Sequence, residues 1–261
     1  MTSWPRGKYQ GVLQIIRFNW PQYLSAAAFL GLGCLLLRTF PMAFWLRALI
    51  MAALAAGAFW LVASLVVSHY VYDRSEIYRV SSVLMLLPET PRRWANFHCG
   101  LDEFTALLLA AFPGSNGTTV DIFDAREMTE PSIRRARECA QTSSIKADFR
   151  HLPFEDSELD AAFVFFAAHE LRRADARRAF FSELRRVLSS RGCVILLEHL
   201  REEPNLLAFG PGAFHFHSRR TWLETIHSAG LRITNERMLT PFVSAFVLTP
   251  SSRSHTQCSS C

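Results

Sequence analysis

The sequence predicts an α/β protein built on a doubly wound, mostly parallel seven-stranded sheet, preceded by a two-helix transmembrane hairpin. Two observations support this prediction. From residue 92 onward, short apolar runs alternate with helix-like segments, which is typical of parallel sheets with helices on both faces. Before them stand two uncharged stretches, and each is as long as the roughly 20 residues that a helix needs to cross the hydrocarbon core of a bilayer.

The hairpin is predicted within residues 1–74. Twenty residues without a formal charge lie between Arg17 and Arg38, and twenty-five lie between Arg47 and Asp73. We therefore expect membrane spans over about 21–37 and 48–70. A cleaved signal peptide is the less favoured alternative, because a Trp-Pro pair interrupts the first stretch and a second span follows almost at once.

The basic residues around the spans predict their orientation. The connecting loop holds only Arg38 and Arg47, whereas more basic residues flank the outer ends, and cytoplasmic flanks carry the excess of lysine and arginine. We expect a multi-pass membrane protein with both termini and the folded domain facing the cytoplasm, and with membrane lipids as partners. The flanking residues are Arg6, Lys8 and Arg17 before the first span, and Arg74, Arg79, Arg92 and Arg93 after the second.

Charge and cysteine content narrow the class of protein. The 28 Lys and Arg residues exceed the 23 Asp and Glu residues by five, but they form no concentrated stripe, so we expect no nucleic-acid partner. The six cysteines are irregularly spaced, which favours a reducing compartment over a disulfide framework. Cys258 and Cys261 form a C-terminal CxxC without a second ligand pair. We expect residues 250–261 to be a disordered tail.

Residues 75–91 are predicted to form a linker helix. Ile77, Val80, Leu84 and Leu87 recur at helical spacing. Two prolines, Pro88 and Pro91, then end the helix. The folded domain follows over residues 92–249.

The first half of this domain is predicted to alternate strands and helices. A strand over 94–99 ends at a glycine, and a helix over 102–112 stops at a Pro-Gly pair. A strand over 118–123 follows. Thr129 is the expected N-cap of the next helix and Pro131 occupies its first turn. That helix runs to about residue 140, and a short strand covers 145–148.

The second half continues the alternation and then closes the sheet. Residues 159–167 form a nearly continuous apolar run, as expected of a central strand buried on both faces. An amphipathic helix over 175–188 leads to another buried strand over 193–198. A helix over 219–229 is capped by Gly230. The strands over 231–238 and 243–248 are expected to pair antiparallel.

Ligands of open α/β sheets bind outside the carboxyl ends of the strands, so the residues there are the candidates for a site. Gly100 lets a ligand approach backbone N–H groups, or it makes a simple tight turn. Asp124 is preferred to Asp121 as the acceptor of ribose hydroxyls; the alternative is that either caps a turn. Asp148 is placed to accept a hydrogen bond from an adenine amino group. His169, Glu170, Glu198, His199 and Arg201 follow the fourth and fifth strands.

Two segments carry a family resemblance. Residues 147–160 read ADFRHLPFEDSELD, with an acid, Leu-Pro-Phe and a second acid that starts a strand, and residues 183–188 read ELRRVL before a turn at Gly192. At this spacing the chain resembles a class I S-adenosylmethionine-dependent methyltransferase over about residues 92–248. The resemblance implies a Rossmann-like seven-stranded fold, methyl-transfer activity and S-adenosylmethionine as cofactor.

The resemblance also implies roles for single residues. Gly100 matches the glycine that faces the methionine part of the cofactor, and its neighbour His98 belongs to the same expected contact set. Asp124 or Asp121 would hold the ribose. Asp148 would touch adenine, with Phe149 near its face, and Asp160 would be structural. The family's first motif has an acid and three glycines, whereas residues 98–102 read HCGLD with one glycine.

Methyl transfer requires alignment of the acceptor, and it requires a general base only if the acceptor loses a proton. The candidates for that base are His169, His199, His215 and His217. His215 and His217 would share one side of an extended segment as a structural pair, as substrate contacts or as metal ligands. Because a third ligand is not evident nearby, no metal is expected.

We therefore predict a membrane-anchored methyltransferase acting on a small-molecule or lipid substrate that the sequence does not identify. Tethering raises the effective concentration of a membrane-held substrate. The main alternative is a catalytically silent methyltransferase-fold scaffold or binding module, because the glycine motif is reduced. A nicotinamide-dependent oxidoreductase is disfavoured by the missing GxGxxG. The sequence leaves the oligomeric state open.

Overall fold

The domain is built on one seven-stranded sheet, seen in a computed structural model that describes residues 7–139 and 143–251. The strand order is β3-β2-β1-β4-β5-β7-β6. β7 pairs antiparallel with both β5 and β6, and the other described strand pairs are parallel, so the predicted mostly parallel sheet with a closing antiparallel pair is confirmed. The strands are β1 Arg93–His98, β2 Asn116–Asp121, β3 Ile145–Lys146, β4 Leu159–Phe165, β5 Leu188–Glu198, β6 Leu231–Thr240 and β7 Val243–Pro250.

Nine α-helices occur in the described part of the chain, and short turns of 3₁₀- or π-helix join some of them. Two of the nine, α1 and α8, were not predicted from the sequence. The helices are α1 Gln10–Phe18, α2 Trp20–Thr39, α3 Phe44–His69, α4 Val80–Leu84, α5 Thr105–Ala111, α6 Pro131–Arg137, α7 Ala174–Val187, α8 Glu203–Phe209 and α9 Arg219–Ser228.

The sheet is buried on both faces in its centre. Along β4, Ala162 and Val164 belong to one apolar layer, whereas Ala161 and Phe163 belong to the other. This two-sided burial explains the continuous apolar run of β4. Asp160 accepts hydrogen bonds from the N–H groups of Arg92 and Arg93 at 2.9 and 3.1 Å, so its carboxylate joins β4 to the start of β1 in a structural role.

The order in which strands are added to the sheet reverses at β1: β2 and β3 follow on one side of it, and β4 and β5 on the other. β1 pairs with β2 on one side and with β4 on the other. Such a switch point opens a crevice at the carboxyl ends of the strands, where ligands of open α/β sheets bind. The candidate site is therefore sought at this edge.

The N-terminal helices α2 and α3 form an antiparallel hairpin that leaves its apolar surface uncovered. Within the described residues, α2 has no buried residue and α3 has only Leu54 and Ser68. The helices touch where a Cβ on Gly33 would lie 2.5 Å from Leu54 Cδ2. Both helices are long and apolar enough to cross a membrane. Exposed apolar residues include Leu24, Phe29, Leu32, Leu35, Leu49, Phe59, Val62 and Val66.

The segment after α3 differs from the predicted linker helix. It consists of a π-turn at Tyr70–Arg74, a 3₁₀ turn at Glu76–Tyr78 and the five-residue α4. Ile77 and Val83 are buried in it, whereas Leu84 is exposed. Packing of Ile77 and Val83 into the apolar layer of β4 therefore overrides the local helical spacing. Residues 252–261, with the predicted tail and its CxxC, lie outside the described residues.

Candidate functional site

A carboxylate in the loop after β1 accepts hydrogen bonds from the N–H groups at the start of α5. Asp102 Oδ1 accepts hydrogen bonds from the N–H groups of Phe104 and Thr105 at 3.1 and 3.0 Å, and from Asn96 Nδ2 at 3.0 Å. An uncapped helix N-terminus at this place would attract an anion. Asp102 stands where the resembled motif has glycine. Its carboxylate lies at the start of α5, where an anion would otherwise bind. It is also the reason that α5 begins at Thr105, three residues later than predicted.

His98 is the buried polar group of this loop. It ends β1, is 6% exposed and lines a cavity of about 220 Å³ at the switch point. Neither ring nitrogen has a hydrogen-bond partner among the described residues. Burial lowers the pKa of His98, despite the opposing charges of Asp102 and Asp121, so the ring is neutral at pH 7. An unpaired buried polar group costs about 1–3 kcal/mol, which a ligand in the cavity would recover.

Gly100 lines the same cavity without a steric requirement for glycine. A Cβ at this position would meet Ile133 Cγ2 at 3.6 Å and Ala136 Cβ at 3.7 Å, which are ordinary contacts. The fold alone therefore tolerates a methyl group here.

The carboxylate of Asp121 is already paired. It accepts hydrogen bonds from Arg137 Nη1 and Nη2 at 2.8 and 2.7 Å and from the N–H of Phe123 at 3.1 Å. Burial raises the pKa of Asp121, but these hydrogen bonds outweigh it and bring the pKa below its ordinary value. Arg137 also donates to the carbonyl of Cys99 at 3.0 Å, so this guanidinium stands between the β1 loop and the end of β2.

Asp121, Asp124 and Asp148 line one hollow of about 550 Å³. Asp124 does not end the strand as predicted, because β2 stops at Asp121. Arg150 Nη1 lies 3.3 Å from Asp124 and 3.5 Å from Asp148, so one arginine holds both carboxylates. The side chains predicted to meet a nucleoside are thus gathered, but each faces an arginine.

Phe149 does not face this hollow. It is fully buried in the core, and the Arg150 guanidinium lies 4.0 Å from its ring centroid. The position of Phe149 near the face of an adenine, which the resemblance implies, stays a prediction; in this structure the ring belongs to the core and Arg150 lies over it.

The turn after β4 carries the most strongly coupled charges of the site. His169 Nδ1 lies 2.7 Å from Glu198 Oε2, and the backbone N–H of His169 donates to Glu198 Oε1 at 3.2 Å. Glu198 ends β5 and is fully buried. The preceding Phe166 has φ 52°, a left-handed conformation that non-glycine residues rarely adopt and that often marks functional turns.

Glu170 and His215 extend this pair into the cavities. Glu170 Oε1 lies 3.3 Å from His169 Nε2 and 3.4 Å from His215 Nε2. His215 Nδ1 lies 3.5 Å from Glu130. Arg172 donates to the carbonyl oxygens of both histidines, which fixes the two segments relative to each other. We call His169, Glu170, Glu198 and His215 the His–Glu cluster.

The cluster holds a proton tightly. Burial by itself lowers the pKa of His169, but the charges of Glu198 and Glu170 outweigh it and raise the pKa to about 10. Burial raises the pKa of Glu170, but His169 and His215 outweigh it and hold the pKa well below its ordinary value. At neutral pH, His169 is therefore a cation between two carboxylates.

The other two predicted histidines have structural partners. His199 Nδ1 lies 2.9 Å from the carbonyl of Phe242 and Nε2 lies 2.8 Å from the Tyr72 hydroxyl. His217 does not share a side with His215; its Nε2 lies 3.2 Å from Arg177 Nη1. His215 ends a 3₁₀ turn, so the segment is not the extended chain that the prediction assumed. Burial is the main cause that lowers the pKa of both His199 and His217 to about 3.

The N-terminal helices complete the site from outside the sheet. Asp73 accepts hydrogen bonds from the N–H groups of Gly11 and Val12 at 2.6 and 3.0 Å, which caps α1. A Cβ on Gly11 would lie 2.4 Å from Tyr72 Cβ, so glycine is required for this close approach. One side of α1 then covers the smaller cavity, where Ile15 is among the lining residues.

A second cavity of about 700 Å³ lies between the hairpin and the domain. It shares Ile15, Tyr72 and His169 with the smaller cavity, so the two meet at the His–Glu cluster. Sequence reasoning missed α1, Arg137 and the roles of Glu170 and Glu198. The two glutamates follow β4 and β5, so the rule that selected the histidines also pointed to them.

A family model described as "Methyltransferase domain" matches residues 97–196, from the end of β1 to most of β5. No curated protein sequence matches the chain. A SAM-dependent methyltransferase from Aquifex aeolicus shares 17% sequence identity over 66% of this chain and 89% of its own, with a TM-score of 0.51.

Two further solved structures extend the similarity. Human N-acetylserotonin methyltransferase in complex with SAM is 12% identical, covers 92% of this chain and 70% of its own, and has a TM-score of 0.55. Mitomycin 7-O-methyltransferase is 14% identical over 94% of this chain and 74% of its own, with a TM-score of 0.54. At such identities the similarity concerns the fold. These two matches also take in the N-terminal helices, since they span more than the sheet domain.

Proposed function

We propose that this chain is a membrane-anchored S-adenosylmethionine-dependent methyltransferase. The premise is that residues 97–196 match a methyltransferase domain. One observation carries the proposal. The buried His–Glu cluster lies at the switch point of a methyltransferase-type sheet, where two cavities meet. One cavity suits the reactive end of a cofactor and the other suits an acceptor.

The residues at this edge fit S-adenosylmethionine. The unpartnered ring of His98 and the open space beside Gly100 suit its methionine part. Asp124, whose contact to Arg150 is long at 3.3 Å, is more available to ribose hydroxyls than Asp121, and Asp148 is exposed beside it for the adenine. When bound, this cofactor supplies a methyl group on an already activated sulfonium.

The His–Glu cluster supplies the proton acceptor. Because its pKa is about 10, His169 already holds a proton at neutral pH and cannot take another. His215 is half-buried, lines the larger cavity and lies 3.4 and 3.5 Å from Glu170 and Glu130. His215 would take up the proton that the methyl acceptor loses, and the two carboxylates would hold its ring in place. His169 and Glu198 act as positioning residues that hold Glu170.

The larger cavity favours an acceptor with a substantial apolar part. Residues from both hairpin helices and from the end of α8 line it, among them Tyr23, Trp60, Leu61 and Phe209. Polar groups converge at one end, where His169, Arg172 and His215 lie. Most ligand pockets have this combination of apolar walls and few polar groups. The acceptor is a small molecule or lipid whose reactive atom reaches His215.

The hairpin supports membrane anchoring. A surface of this size that is apolar and uncovered is rare on soluble monomers. We propose that α2 and α3 span the bilayer and that the domain faces the cytoplasm, so that the larger cavity lies near the membrane surface. A second copy of the chain is the other occupant that would cover these helices.

Transfer of a labelled methyl group tests the activity. The full chain in nanodiscs is incubated with methyl-labelled S-adenosylmethionine and either a lipid extract or an aqueous metabolite extract. We expect label in one acceptor fraction, and His215→Ala should remove it. Absence of label in both fractions, together with no binding at millimolar cofactor, would contradict the enzyme proposal.

Membrane extraction tests the anchor with a matched control. The full chain should resist carbonate extraction from membranes, whereas a chain lacking residues 1–74 should be released. A full chain that carbonate releases would contradict the spans. Cross-linking between two chains in solution would then identify a second copy as the cover.

A catalytically silent scaffold is the second candidate function. Two observations favour it. Asp102 replaces a glycine of the resembled motif and places a carboxylate at the start of α5. Arginines already pair with Asp121, Asp124 and Asp148. The cofactor titration separates the two functions, because a scaffold with this first motif would not bind S-adenosylmethionine.

A further inference from the structure

Three side chains of the His–Glu cluster point ligand atoms at one place. His169 Nε2 and His215 Nε2 both lie near Glu170 Oε1, at 3.3 and 3.4 Å. Metal-ligand atoms of these three residues all lie within 4.8 Å of one another. Two ring nitrogens and a carboxylate oxygen this close together are a set of ligand atoms that one metal ion can bind.

Two of the three separations between ligand atoms suit a tetrahedral metal centre, and the third, between the two histidines, is no more than 4.8 Å. Zinc binds histidine nitrogen at about 2.0–2.1 Å and carboxylate oxygen at about 2.0–2.2 Å. Neighbouring ligand atoms at the corners of such a tetrahedron are about 3.3–3.5 Å apart by the same bond lengths. The two observed separations from Glu170 fall in this range.

The Nδ1 atom of His169 has the hydrogen-bonded carboxylate partner that metal-bound histidines have, and the Nδ1 atom of His215 has a more distant carboxylate. His169 Nδ1 lies 2.7 Å from Glu198, and His215 Nδ1 lies 3.5 Å from Glu130. Metal binding would displace the proton of His169 Nε2 into solvent, and the carboxylate on Nδ1 would then set the tautomer, direct the freed Nε2 lone pair toward the metal and raise the basicity of the ligand. Both imidazoles are thus oriented toward the same point.

An independent observation also points to a ligand at this place. Glu170 is only 6% exposed, and its Oε2 has no hydrogen-bond partner among the described residues. A buried charged oxygen without a partner is costly, and a cation bound by both oxygens of the Glu170 carboxylate would satisfy it. The carboxylates of Glu170 and Glu198, which lie 3.3 and 2.7 Å from the ring of His169, place negative charge where a divalent cation would bind.

We propose that His169, Glu170 and His215 form a three-ligand site for a divalent metal ion, with zinc as the best-suited metal. Two histidines and one glutamate are a ligand set of catalytic zinc sites, which keep the fourth position open. Here that position faces the two cavities, because His169 lines both of them. An oxygen or sulfur atom of the methyl acceptor would bind the metal at this open position.

The role of the metal rests on the proposed methyltransferase function, whereas its binding does not. A metal-bound hydroxyl or thiol loses its proton more readily. The metal would then ionise the acceptor directly, and His215 would act as a ligand instead of a free proton acceptor. The expectation of no metal rested on the pair His215 and His217 alone; the proposed site instead combines His215 with His169 and Glu170.

Metal titration of the full chain tests the site. The protein in nanodiscs is stripped with a chelator and titrated with zinc chloride by calorimetry, then with cobalt chloride followed by visible absorption. All samples carry Cys258→Ser and Cys261→Ser, which removes the thiols of the C-terminal tail. His227→Ala is the matched control, because His227 is exposed on α9 and takes no part in the cluster.

We expect one zinc ion per chain and the cobalt spectrum of a tetrahedral or five-coordinate nitrogen and oxygen site. His215→Ala and Glu170→Gln should each weaken zinc binding by more than about 100-fold, since outer partners alone contribute about 10–100-fold. Glu130→Gln, which changes only an outer partner, should weaken it by about 10-fold. His227→Ala should bind as the parent does.

Two results would overturn the site: no zinc bound at micromolar concentrations, or zinc bound equally well by His215→Ala and Glu170→Gln. Circular dichroism of each variant identifies any loss of fold, and Glu130→Gln keeps the test decisive if a ligand variant unfolds. Titration of S-adenosylmethionine on metal-free and zinc-loaded protein separates the two proposals. Zinc without cofactor binding contradicts the methyltransferase, and cofactor without zinc contradicts the metal site.

Discussion

The two halves of the carboxyl edge of the sheet differ in how their polar groups are satisfied. On the β1 and β4 side, His98 and Glu170 Oε2 are buried without a hydrogen-bond partner among the described residues. On the β2 and β3 side, the carboxylates already face Arg137 or Arg150. The first half is therefore organised to receive a ligand, whereas any ligand of the second half must compete with an arginine.

This difference concerns energy as well as geometry. A buried polar atom without a partner lowers stability until a ligand supplies one. A carboxylate paired with an arginine contributes to stability before any ligand arrives. Substitutions on the first side should therefore change binding and activity. On the second side, the tightly paired Asp121 should affect stability, whereas Asp124, with its longer contact to Arg150, should affect binding.

The largest effect is expected at His215. His215→Ala should lower methyl transfer by about 10²–10⁴-fold, which is the usual contribution of a positioned proton acceptor. Cofactor affinity, measured by calorimetry, should change by less than about twofold, because general-base catalysis acts on the methyl acceptor. The control is His227→Ala. Equal activity of the two variants would remove His215 from the mechanism.

The second comparison is between Asp124 and Asp121. Asp124→Ala should weaken S-adenosylmethionine binding by about 10–100-fold, since a hydrogen bond to a charged group contributes about 1.5–3 kcal/mol. Asp121→Ala should mainly lower the free energy of unfolding, by about 1–3 kcal/mol, because it leaves Arg137 without its bidentate partner. Calorimetry and chemical denaturation measure the two quantities. The opposite order would assign the ribose to Asp121.

Gly11→Ala tests whether α1 closes the first half of the edge. The added Cβ would lie 2.4 Å from Tyr72 Cβ, and such overpacking costs about 1–3 kcal/mol. Because α1 covers the smaller cavity, cofactor dissociation should become faster, as stopped-flow measurement can show. Gly7→Ala is the matched control, since its Cβ would meet nothing nearer than 3.7 Å. Unchanged dissociation in Gly11→Ala would mean that α1 is not a cover.

The pH dependence of the stability of the metal-free protein tests the charge of the His–Glu cluster. The pKa of His169 rises from 6.5 to about 10 on folding, so its stabilisation is complete below pH 6.5 and is lost as the pH rises toward 10. Glu170 has a lowered pKa, so its stabilisation is present above its unfolded pKa of 4.5 and is lost in acid. The difference in Tm between the parent and His169→Gln should therefore shrink from pH 6.5 to pH 10. A constant difference would contradict this charge state.

The smallest effect is expected at Gly100. Gly100→Ala should change the free energy of unfolding by no more than about 0.5 kcal/mol, because the nearest side-chain atom lies 3.6 Å from the new Cβ. If a cofactor lies against this backbone, its affinity should fall while stability does not. Unchanged affinity would move the methionine part away from Gly100.

The sheet could be predicted from local patterns because its strands are apolar runs bounded by turn residues. The resemblance over residues 147–160 has a comparably local physical cause. Arg186 donates to the carbonyl oxygens of Leu152 and Phe154, and Glu183 accepts the N–H of Leu152 at 2.9 Å. This segment is thus clamped to α7 by the same residues that make the second matching segment. Its pattern reports the fold and does not by itself report the site.

The site was harder to predict because its pairs are distant in sequence. Arg137 neutralises Asp121 from 16 positions away, and Glu198 reaches His169 across 29. Phe149 was expected beside an adenine, yet its backbone position directs it into the core. His215 and His217 were expected to act together, but a 3₁₀ turn separates their directions. Rules based on local sequence spacing cannot predict contacts between residues this far apart in the chain.

The sequence by itself determined the alternation of strands and helices, the long apolar helices at the N-terminus and the acids and histidines that follow the strands. These features depend on hydrophobic period and on turn chemistry, which act between near neighbours. Only the tertiary structure decided which acid meets an arginine, which histidine meets a glutamate and which helix covers the cavity. Those choices depend on the order of strands in the sheet, because strand order brings together side chains that the chain itself keeps apart.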